Sequence, residues 1–575
     1  MIAQLVFDLP IDGPFDYLVP EHLAGGVTVG CRVRVSFGRG TRIGFVVGLI
    51  DQSAIARLKP VGGLADAGPV FNELDLEFAK GFGAYYGCSL GEALTTVLRN
   101  KKNLEPSMRR DRKPVISLYR CPPDEYAVQI QRIMAGYPSG ARFLVLVPDA
   151  FRGEMLSRQK LAGDVSMGAR SCVFESDGRY DCIIMVDEED ASYKQEQTPM
   201  YETRQVLLAR CALYGFDAAF VGVSPSVELM AMVREKKVLL GRDDGAALAP
   251  ARLVDLANYK FVPGLVSPPV RLGLESALKA GRKSILVLNV KGSYRLTRCV
   301  DCAVVLKCAR CDSPLYFSRS RKKYICRHCT FTSPEDTVCP ACGHQSWRSQ
   351  GIGVEQVQAE LKKIFPQARI VAFERGHKAD AQHSGVPDDF DILIATRALL
   401  RFQGRWKAQT AAFIDFDSQL NRLEARAAFN AFSLAQHVAG MADSVFIQTR
   451  NVSHYVLGHL SRGDIKGFYD EELALRRELG FSPFKHWIRV SWRGAGEKST
   501  HKAASHVYNE LSKAAPEGCV VTSPLADEVA RKRDLFRFNV MVQADDVPAA
   551  VAFIKAGLSR VKRPGGVIVT INVDP

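Results

Sequence analysis

Apolar and polar positions along the chain change their period several times, and each change marks where one kind of element gives way to another. Residues 32–37 alternate polar with apolar, the period of a half-buried strand, and residues 42–50 continue as a second strand. A small β-rich domain is predicted over residues 1–104, closed by a helical segment from Glu73 to Leu98. Residues 105–118 belong to a basic, proline-interrupted stretch without periodicity and read as a linker. Across 119–240, continuous apolar runs at 143–147, 182–186 and 218–223 alternate with helical patterns such as 201–213, the mark of a parallel sheet buried on both faces. A second lobe of this kind spans 241–298 and 347–466, with strands predicted at 284–289, 369–373, 391–396, 411–415 and 444–449. A cysteine-rich module, 299–346, interrupts it. Residues 467–575 read strand, helix, strand, strand, helix, strand, the order of a small split βαβ domain. The fold class is therefore multidomain α/β.

Composition changes that picture little. At 575 residues the chain is too long for one core and divides into about three to five domains. Apolar residues make up 47% and charged residues 24%, as in ordinary globular proteins, and no run of about eighteen apolar residues would span a bilayer. The N-terminus shows no basic segment followed by a continuous apolar one, so a cytoplasmic protein is expected. Charge adds more. The net charge of +14 is concentrated at Arg109 to Lys113, Arg319 to Lys323 and Arg531 to Arg533. Any one cluster reads as a solvated face, but their sum points to an anionic partner such as nucleic acid.

The cysteines supply the sharpest chemistry. Seven of the fifteen are scattered (Cys31, Cys88, Cys121, Cys172, Cys182, Cys211 and Cys519) and read as reduced thiols. The other eight form four C-x2-C pairs: Cys299 and Cys302, Cys308 and Cys311, Cys326 and Cys329, Cys339 and Cys342. Eight thiolates make two closed tetrahedral zinc sites with no position left for water, so the sites are structural. The module is too poor in large apolar groups to bury a core, and metal ligation would supply its folding energy. Spacing alone leaves open which pairs share a metal, although a nested arrangement suits the short intervening segments. His328 and His344 are close enough to compete as ligands.

Val186-Asp187-Glu188-Glu189-Asp190 follows a predicted buried strand, where an NTPase places the acidic residues that hold Mg²⁺ and polarise water. Its complement, the loop G-x-x-x-x-G-K-[ST] that cradles phosphates, is missing from the sequence. Lys283-Ser284 and Lys498-Ser499 follow arginine and glutamate rather than glycine and read as ordinary turns.

Taken together these motifs resemble the PriA family, primosomal protein N′, superfamily 2 DNA helicases that recognise abandoned replication forks. The resemblance runs along almost the whole chain. It is carried by residues 15–20 (FDYLVP), 30–35 (GCRVRV) with Phe37-Gly38, and 58–61 (LKPV). In the family, such an aromatic turn, glycine and lysine form the pocket for the 3′ end of a nascent strand. The resemblance thus implies DNA binding by Phe15, Asp16, Tyr17, Gly38 and Lys59. Aromatic faces stack on bases and a cation pairs with phosphate; a buried aromatic turn is the competing role for Phe15. Residues 186–205 are similar to helicase motif II and the loop after it, one residue shorter and without the histidine of D-E-E-H-D, and 221–228 (VGVSPSVE) are similar to motif III. Residues 351–361, 392–400 and 468–484 match family segments as well. The cysteine run sits where the family inserts a two-zinc module pairing outer with outer and inner with inner. This implies Cys299, Cys302, Cys339 and Cys342 on one metal and Cys308, Cys311, Cys326 and Cys329 on the other.

Three departures set the chain apart. Upstream of 143–148, where the phosphate loop is expected, stand only residues 135–140 (AGYPSG). Motif VI, Q-V-A-G-R-A-G-R in the family, reads His437 to Ser444 (HVAGMADS), without either arginine that would stabilise transition-state charge. The winged-helix region between the first domain and the first lobe is absent. The expectation is two degenerate RecA-like helicase lobes in a protein that is not an enzyme, with two Zn²⁺ and no ATP. It would bind forked and single-stranded DNA and assemble with primosome and helicase-loading proteins, and with single-stranded DNA-binding protein, to restart replication. The alternatives are an ATP-driven 3′ to 5′ helicase with a rebuilt nucleotide site and a zinc-ribbon protein of another pathway.

Overall fold

The computed structural model describes residues 1–98, 109–175, 179–243, 249–259, 264–288, 297–302, 304–310, 314–318, 322–326, 331–349, 353–373, 388–422, 424–532, 534–562 and 564–575. The chain opens with a five-stranded antiparallel sheet in which Phe15–Leu18, Ile2–Val6, Gly40–Ile50, Arg32–Phe37 and Val61–Leu64 lie side by side in that order. The alternation read in Arg32–Phe37 is realised: Val33 and Val35 enter the core while Arg34 and Ser36 face out. The helical segment after it is two helices, Glu73–Tyr86 and Leu90–Leu98. A reciprocal capping box between Asn72 and Asp75 starts the first, and Gly87, in the left-handed region at φ 72°, ends it. Gly91 lets the second rest on the backbone just after strand Ile2–Val6, since a β-carbon there would meet the Phe7 carbonyl oxygen at 1.7 Å. Phe78, Phe82 and Tyr86 continue into the core of the next domain beside Tyr201 and Tyr214.

Two all-parallel six-stranded sheets form the lobes. The first has the order Leu239–Asp243, Ile116–Arg120, Asp217–Gly222, Cys182–Val186, Arg142–Leu146, Asp164–Gly168. Its interior strand Ile116–Arg120 begins within the stretch expected to be a linker. The second has the order Arg252–Asp255, Ala442–Thr449, Ala408–Phe413, Ser284–Val287, Ile392–Ala395, Ile370–Phe373. Strands such as Cys182–Val186 and Ile392–Ala395 are buried at every position, which is why they read as continuous apolar runs. A parallel sheet delivers the loops after its strands to one edge. In the first lobe that edge carries residues 121–125, 187–190 and 223–226, and it faces the second lobe.

The cysteine module contributes a two-stranded pairing of Thr297–Cys299 with Trp347–Ser349 and a three-stranded sheet of Leu315–Ser318, Lys323–Cys326 and Thr332–Pro334. In the C-terminal domain His486–Gly494 pairs antiparallel with Leu535–Ala544 and Ile568–Val573, and Val520–Val521 and Leu525–Lys532 share the far edge. Helices Glu497–Lys513 and Val547–Arg560 cover one face around Trp492. Among the described residues no helix is long and apolar enough to cross a membrane.

Candidate nucleic-acid interface and metal centre

Three separate segments meet around the first candidate site. The Tyr17 hydroxyl donates to the Ser36 carbonyl at 3.0 Å, and the Phe15 and Phe37 rings lie 5.6 Å apart, which brings the Phe15–Leu18 strand beside Gly38. The Leu18 N–H donates to the Lys59 carbonyl at 3.0 Å, which brings in Lys59. The segments that carry the five residues implied by the family resemblance therefore meet at one corner of the sheet. Their roles differ. Tyr17 is buried with Phe7 in the core, and Phe15 is half-buried in a cluster with Phe7 and Phe37, so packing accounts for both. Asp16 accepts from the Ser53 hydroxyl at 2.5 Å and from Gln4 Nε2 at 3.3 Å, which fixes a half-exposed carboxylate. Lys59 is exposed. Gly38 takes φ 61°, and a β-carbon there would meet nothing within 4 Å, so open space lies above it. Arg32 forms a two-pronged ion pair with Asp66 at 2.6 Å and Arg34 donates to the Leu64 carbonyl at 2.8 Å, so the arginine face of this strand is partly engaged by the protein itself.

The outer cysteine pairs converge. The sulfurs of Cys299, Cys302, Cys339 and Cys342 all lie within 4.8 Å of one another, with Cys299 to Cys342 at 3.5 Å and Cys302 to Cys339 at 3.6 Å. A tetrahedral ion with metal–sulfur bonds of about 2.3 Å needs sulfurs about 3.8 Å apart, so this set fits a metal. Cys308 and Cys326 are buried together with Leu306, Leu315 and Tyr324, and Cys308 Sγ accepts from the Arg310 N–H at 3.4 Å. Cys311, Cys329 and His328 lie outside the described residues. The His344 ring is 3.6 Å from the Asp301 carboxylate.

Between the lobes the structure corrects one expectation. Residues 135–140 do not stand where a phosphate loop would. They lead into the N-terminal end of Arg142–Leu146, and the Tyr137 hydroxyl donates to Asp217 at the start of its own strand at 2.8 Å, on the edge opposite Asp187. The strand, turn and helix that face the acidic cluster are Ile116–Arg120, residues 121–125 and Tyr126–Ala135. The misplacement came from nearness in sequence to an apolar strand, whereas the order of strands in the sheet decides which loop reaches the acidic cluster. A phosphate site here would need converging backbone N–H groups at the helix N-terminus. Pro122 and Pro123 have none, and Asp124 and Glu125 put two carboxylates in the turn.

The acidic cluster is occupied by the protein's own cations. Asp187, in the left-handed region at φ 49°, is paired with Arg152 at 3.0 Å and accepts from the Tyr126 hydroxyl; both members of the ion pair are buried. Glu188 binds Arg204 at 2.6 Å and accepts from the Ser226 N–H at 2.6 Å. Burial pushes the Glu189 carboxyl well above the usual carboxylate range, helped by Asp187 and Glu188. Burial also pulls the His437 imidazole down to about 4. The two meet across the lobes at 2.9 Å. Gln403 orders this link: its Oε1 accepts from Arg152 at 2.9 Å, so its Nε2 donates to His437 Nδ1 at 2.8 Å, leaving the proton of a neutral ring on Nε2 to face Glu189. A cavity of about 190 Å³ beside this chain is walled by Pro122, Pro123, Trp406, Gln436 and Met441. Nearby, burial works to raise the Glu228 carboxyl, but Arg426 and Arg476 at 3.1 Å and Arg204 at 3.8 Å outweigh it and hold it well below the usual range. The sequence did not single out Tyr126, Arg152, Arg204, Glu228, Gln403, Arg426 or Arg476. Arg204, Glu228 and Arg476 carried only the signal of standing inside stretches that resemble the family, 186–205, 221–228 and 468–484.

Residues 4–99 match the family model for a 3'DNA-binding domain (3'BD). The whole chain is 27% identical to a replication restart protein PriA of Treponema pallidum, covering 100% of this chain and 99% of that one. It is 22% identical to that of Rickettsia conorii, again over 100% and 99%. Against PriA of Bacillus subtilis the identity is 25% over 71% of this chain and 53% of the relative. Among solved structures, S. cerevisiae Dbp5 bound to RNA and ADP BeF3 overlaps with a TM-score of 0.34 at 9% identity, covering 71% of this chain and 98% of that one. Escherichia coli DEAH/RHA helicase HrpB overlaps with a TM-score of 0.33 at 9% identity, covering 58% and 40%. At those scores the overlap carries no argument.

Proposed function

Since this chain carries a 3′DNA-binding domain and is related over its whole length to replication restart proteins PriA, we propose that it binds branched DNA at stalled or abandoned forks and helps reload the replicative helicase without hydrolysing ATP. The observation that supports the last clause is the turn facing Asp187. Two prolines and two carboxylates stand where amides would have to hold phosphate, and a buried guanidinium already pairs with the carboxylate that would hold Mg²⁺. Phosphoryl transfer is catalysed almost wholly by positioning and electrostatics, so losing both removes the reaction. The frame then serves to present the DNA-reading domain and the cysteine module. The module would carry two Zn²⁺, one on Cys299, Cys302, Cys339 and Cys342 and one on Cys308, Cys311, Cys326 and Cys329. Forked and single-stranded DNA, helicase-loading proteins and single-stranded DNA-binding protein are its partners in the cytoplasm.

Phe15, Asp16, Tyr17, Gly38 and Lys59 form the 3′-end pocket in this reading. Asp16, held by Ser53 and Gln4, accepts from a terminal 3′ hydroxyl in the open space above Gly38, and Lys59 meets backbone phosphate. ATP turnover with and without forked DNA, in wild type and Asp187→Ala, tests the non-motor reading; background rates in all four measurements are expected. Turnover that rises with forked DNA and vanishes in Asp187→Ala would favour the ATP-driven helicase instead.

A further inference from the structure

The seam between the two lobes contains more than a degraded nucleotide site. Arg152, on the helix Ala150–Arg158 of the first lobe, holds Asp187 of its own lobe at 3.0 Å and Gln403 of the second at 2.9 Å. Glu189 and His437 join the lobes at 2.9 Å, and Gln436 donates to the Val223 carbonyl at 3.3 Å. The Tyr469 hydroxyl donates to the Pro225 carbonyl at 2.5 Å. Glu228 of the first lobe is gripped by Arg426 of the second and by Arg476 on the following helix Ile465–Leu479. Apolar packing runs through the same surface: Val227 and Ala231 belong to the core of the second lobe, and the Phe151 and Phe402 rings lie 5.7 Å apart.

We infer that Arg152 is a built-in cation that takes the place of an exogenous ion at Asp187 and holds the two lobes as one permanently closed body, so that neither Mg²⁺ nor nucleotide opens or closes the gap between them. In a motor the cation at such a carboxylate arrives and leaves with nucleotide, and the lobes move with it. Here the charge is covalently attached, buried and tied to the opposite lobe through Gln403, so its pairing does not turn over. Each of its partners depends on it. Without the guanidinium, Asp187 becomes a buried unpaired charge and Gln403 loses the contact that orders its amide toward His437. The inference rests on the non-motor reading and shares its Arg152–Asp187 pair, but adds the contacts across the seam, and the two can fail separately.

Amide hydrogen exchange of the full chain, with and without forked DNA, Mg²⁺ and a non-hydrolysable ATP analogue, tests it. In wild type the seam helices Ala150–Arg158 and Ala427–Gly440 are expected to be strongly protected and unchanged by Mg²⁺ or the analogue. In Arg152→Ala, exchange in both helices should rise by about tenfold or more, the least that loss of a charge-assisted hydrogen bond gives at about 1.4 kcal/mol per decade. Strands Ile2–Val6 and His486–Gly494 should keep wild-type protection. Arg152→Ala with Asp187→Ala should recover part of the loss, because the unpaired charge is gone. Should Arg152→Ala not fold, Gln403→Ala removes the link across the seam while leaving Asp187 paired, and a smaller rise in both helices is expected. Seam helices that exchange freely in wild type, that respond to the analogue, or that are indifferent to both variants overturn the lock. ATP turnover alongside an unresponsive, protected seam would instead overturn the non-motor reading and leave the lock standing.

Discussion

The outer cysteine set and the acidic edge of the first lobe pose the same electrostatic problem and solve it in opposite ways. Four sulfurs within 4.8 Å of one another come from two distant stretches of a module with little core of its own. Asp187, Glu188 and Glu189 likewise stand together in a buried place. Crowded anionic groups require a compensating cation or must keep their protons. The cysteine set has no lysine or arginine that reaches its sulfurs among the described residues and retains the spacing of a tetrahedral ion. The acidic edge recruits Arg152 and Arg204, and burial beside Asp187 and Glu188 raises the Glu189 carboxyl well above the usual range. A site that depends on an external ion can be emptied; one neutralised by its own side chains cannot.

Chelation should separate the two regions most strongly. Structural zinc in small modules carries an apparent binding energy of about 10–16 kcal/mol, so removing it should unfold residues 297–349, read as new protease cleavage there, while the lobes keep their melting transition. Metal analysis should give about two zinc ions per chain, and Cys302→Ser should lose one; finding one or none in wild type counts against the paired sites. Next in size is Arg152→Ala. Leaving Asp187 buried without its partner should cost about 3–5 kcal/mol in urea unfolding, with chelator making no further difference to the lobes. A loss below about 1 kcal/mol would mean the acidic edge is hydrated rather than internally compensated.

Titration sharpens the contrast further. His437 has a folded value of about 4 against an ordinary 6.5, so its neutral form is favoured by folding. That contribution is fully present above the ordinary value and is lost as pH falls through the folded one. In Glu189→Gln, which keeps an acceptor for His437 Nε2 but removes the neighbouring acid, stability should therefore drop by about 2–4 kcal/mol between pH 6.5 and 4. A flat profile in that variant would show that His437 is solvated. The smallest effect belongs to the N-terminal corner. Asp16→Ala should reduce the preference for a fork ending in a 3′ hydroxyl over one ending in a 3′ phosphate by about 0.5–1.5 kcal/mol, with duplex binding unchanged. Lys59→Ala should weaken all forks alike and lower the salt slope by about one. Equal wild-type affinity for both fork ends would remove the pocket's role.

Much of this molecule can be read from the order of its residues alone. Period-two alternation marks Arg32–Phe37 and continuous apolar runs mark Cys182–Val186 and Ile392–Ala395, because burial of one face or two leaves different imprints on a strand. The cysteine pairs announce a metal module, since tetrahedral thiolate ligation leaves a short, fixed spacing in the chain. The corner around Asp16 is visible through resemblance alone. Hidden from the sequence are the strand Ile116–Arg120, too short and mixed to stand out, and with it the turn that faces Asp187. Hidden too is the whole polar seam. Arg152, Gln403, His437 and Glu189 are scattered over both lobes, and none has a spacing that points to another. Local patterns record what neighbours in sequence need from solvent and core. The partner of a buried charge is chosen by which strands lie side by side and which edges face each other, and that is decided only when the sheets are assembled.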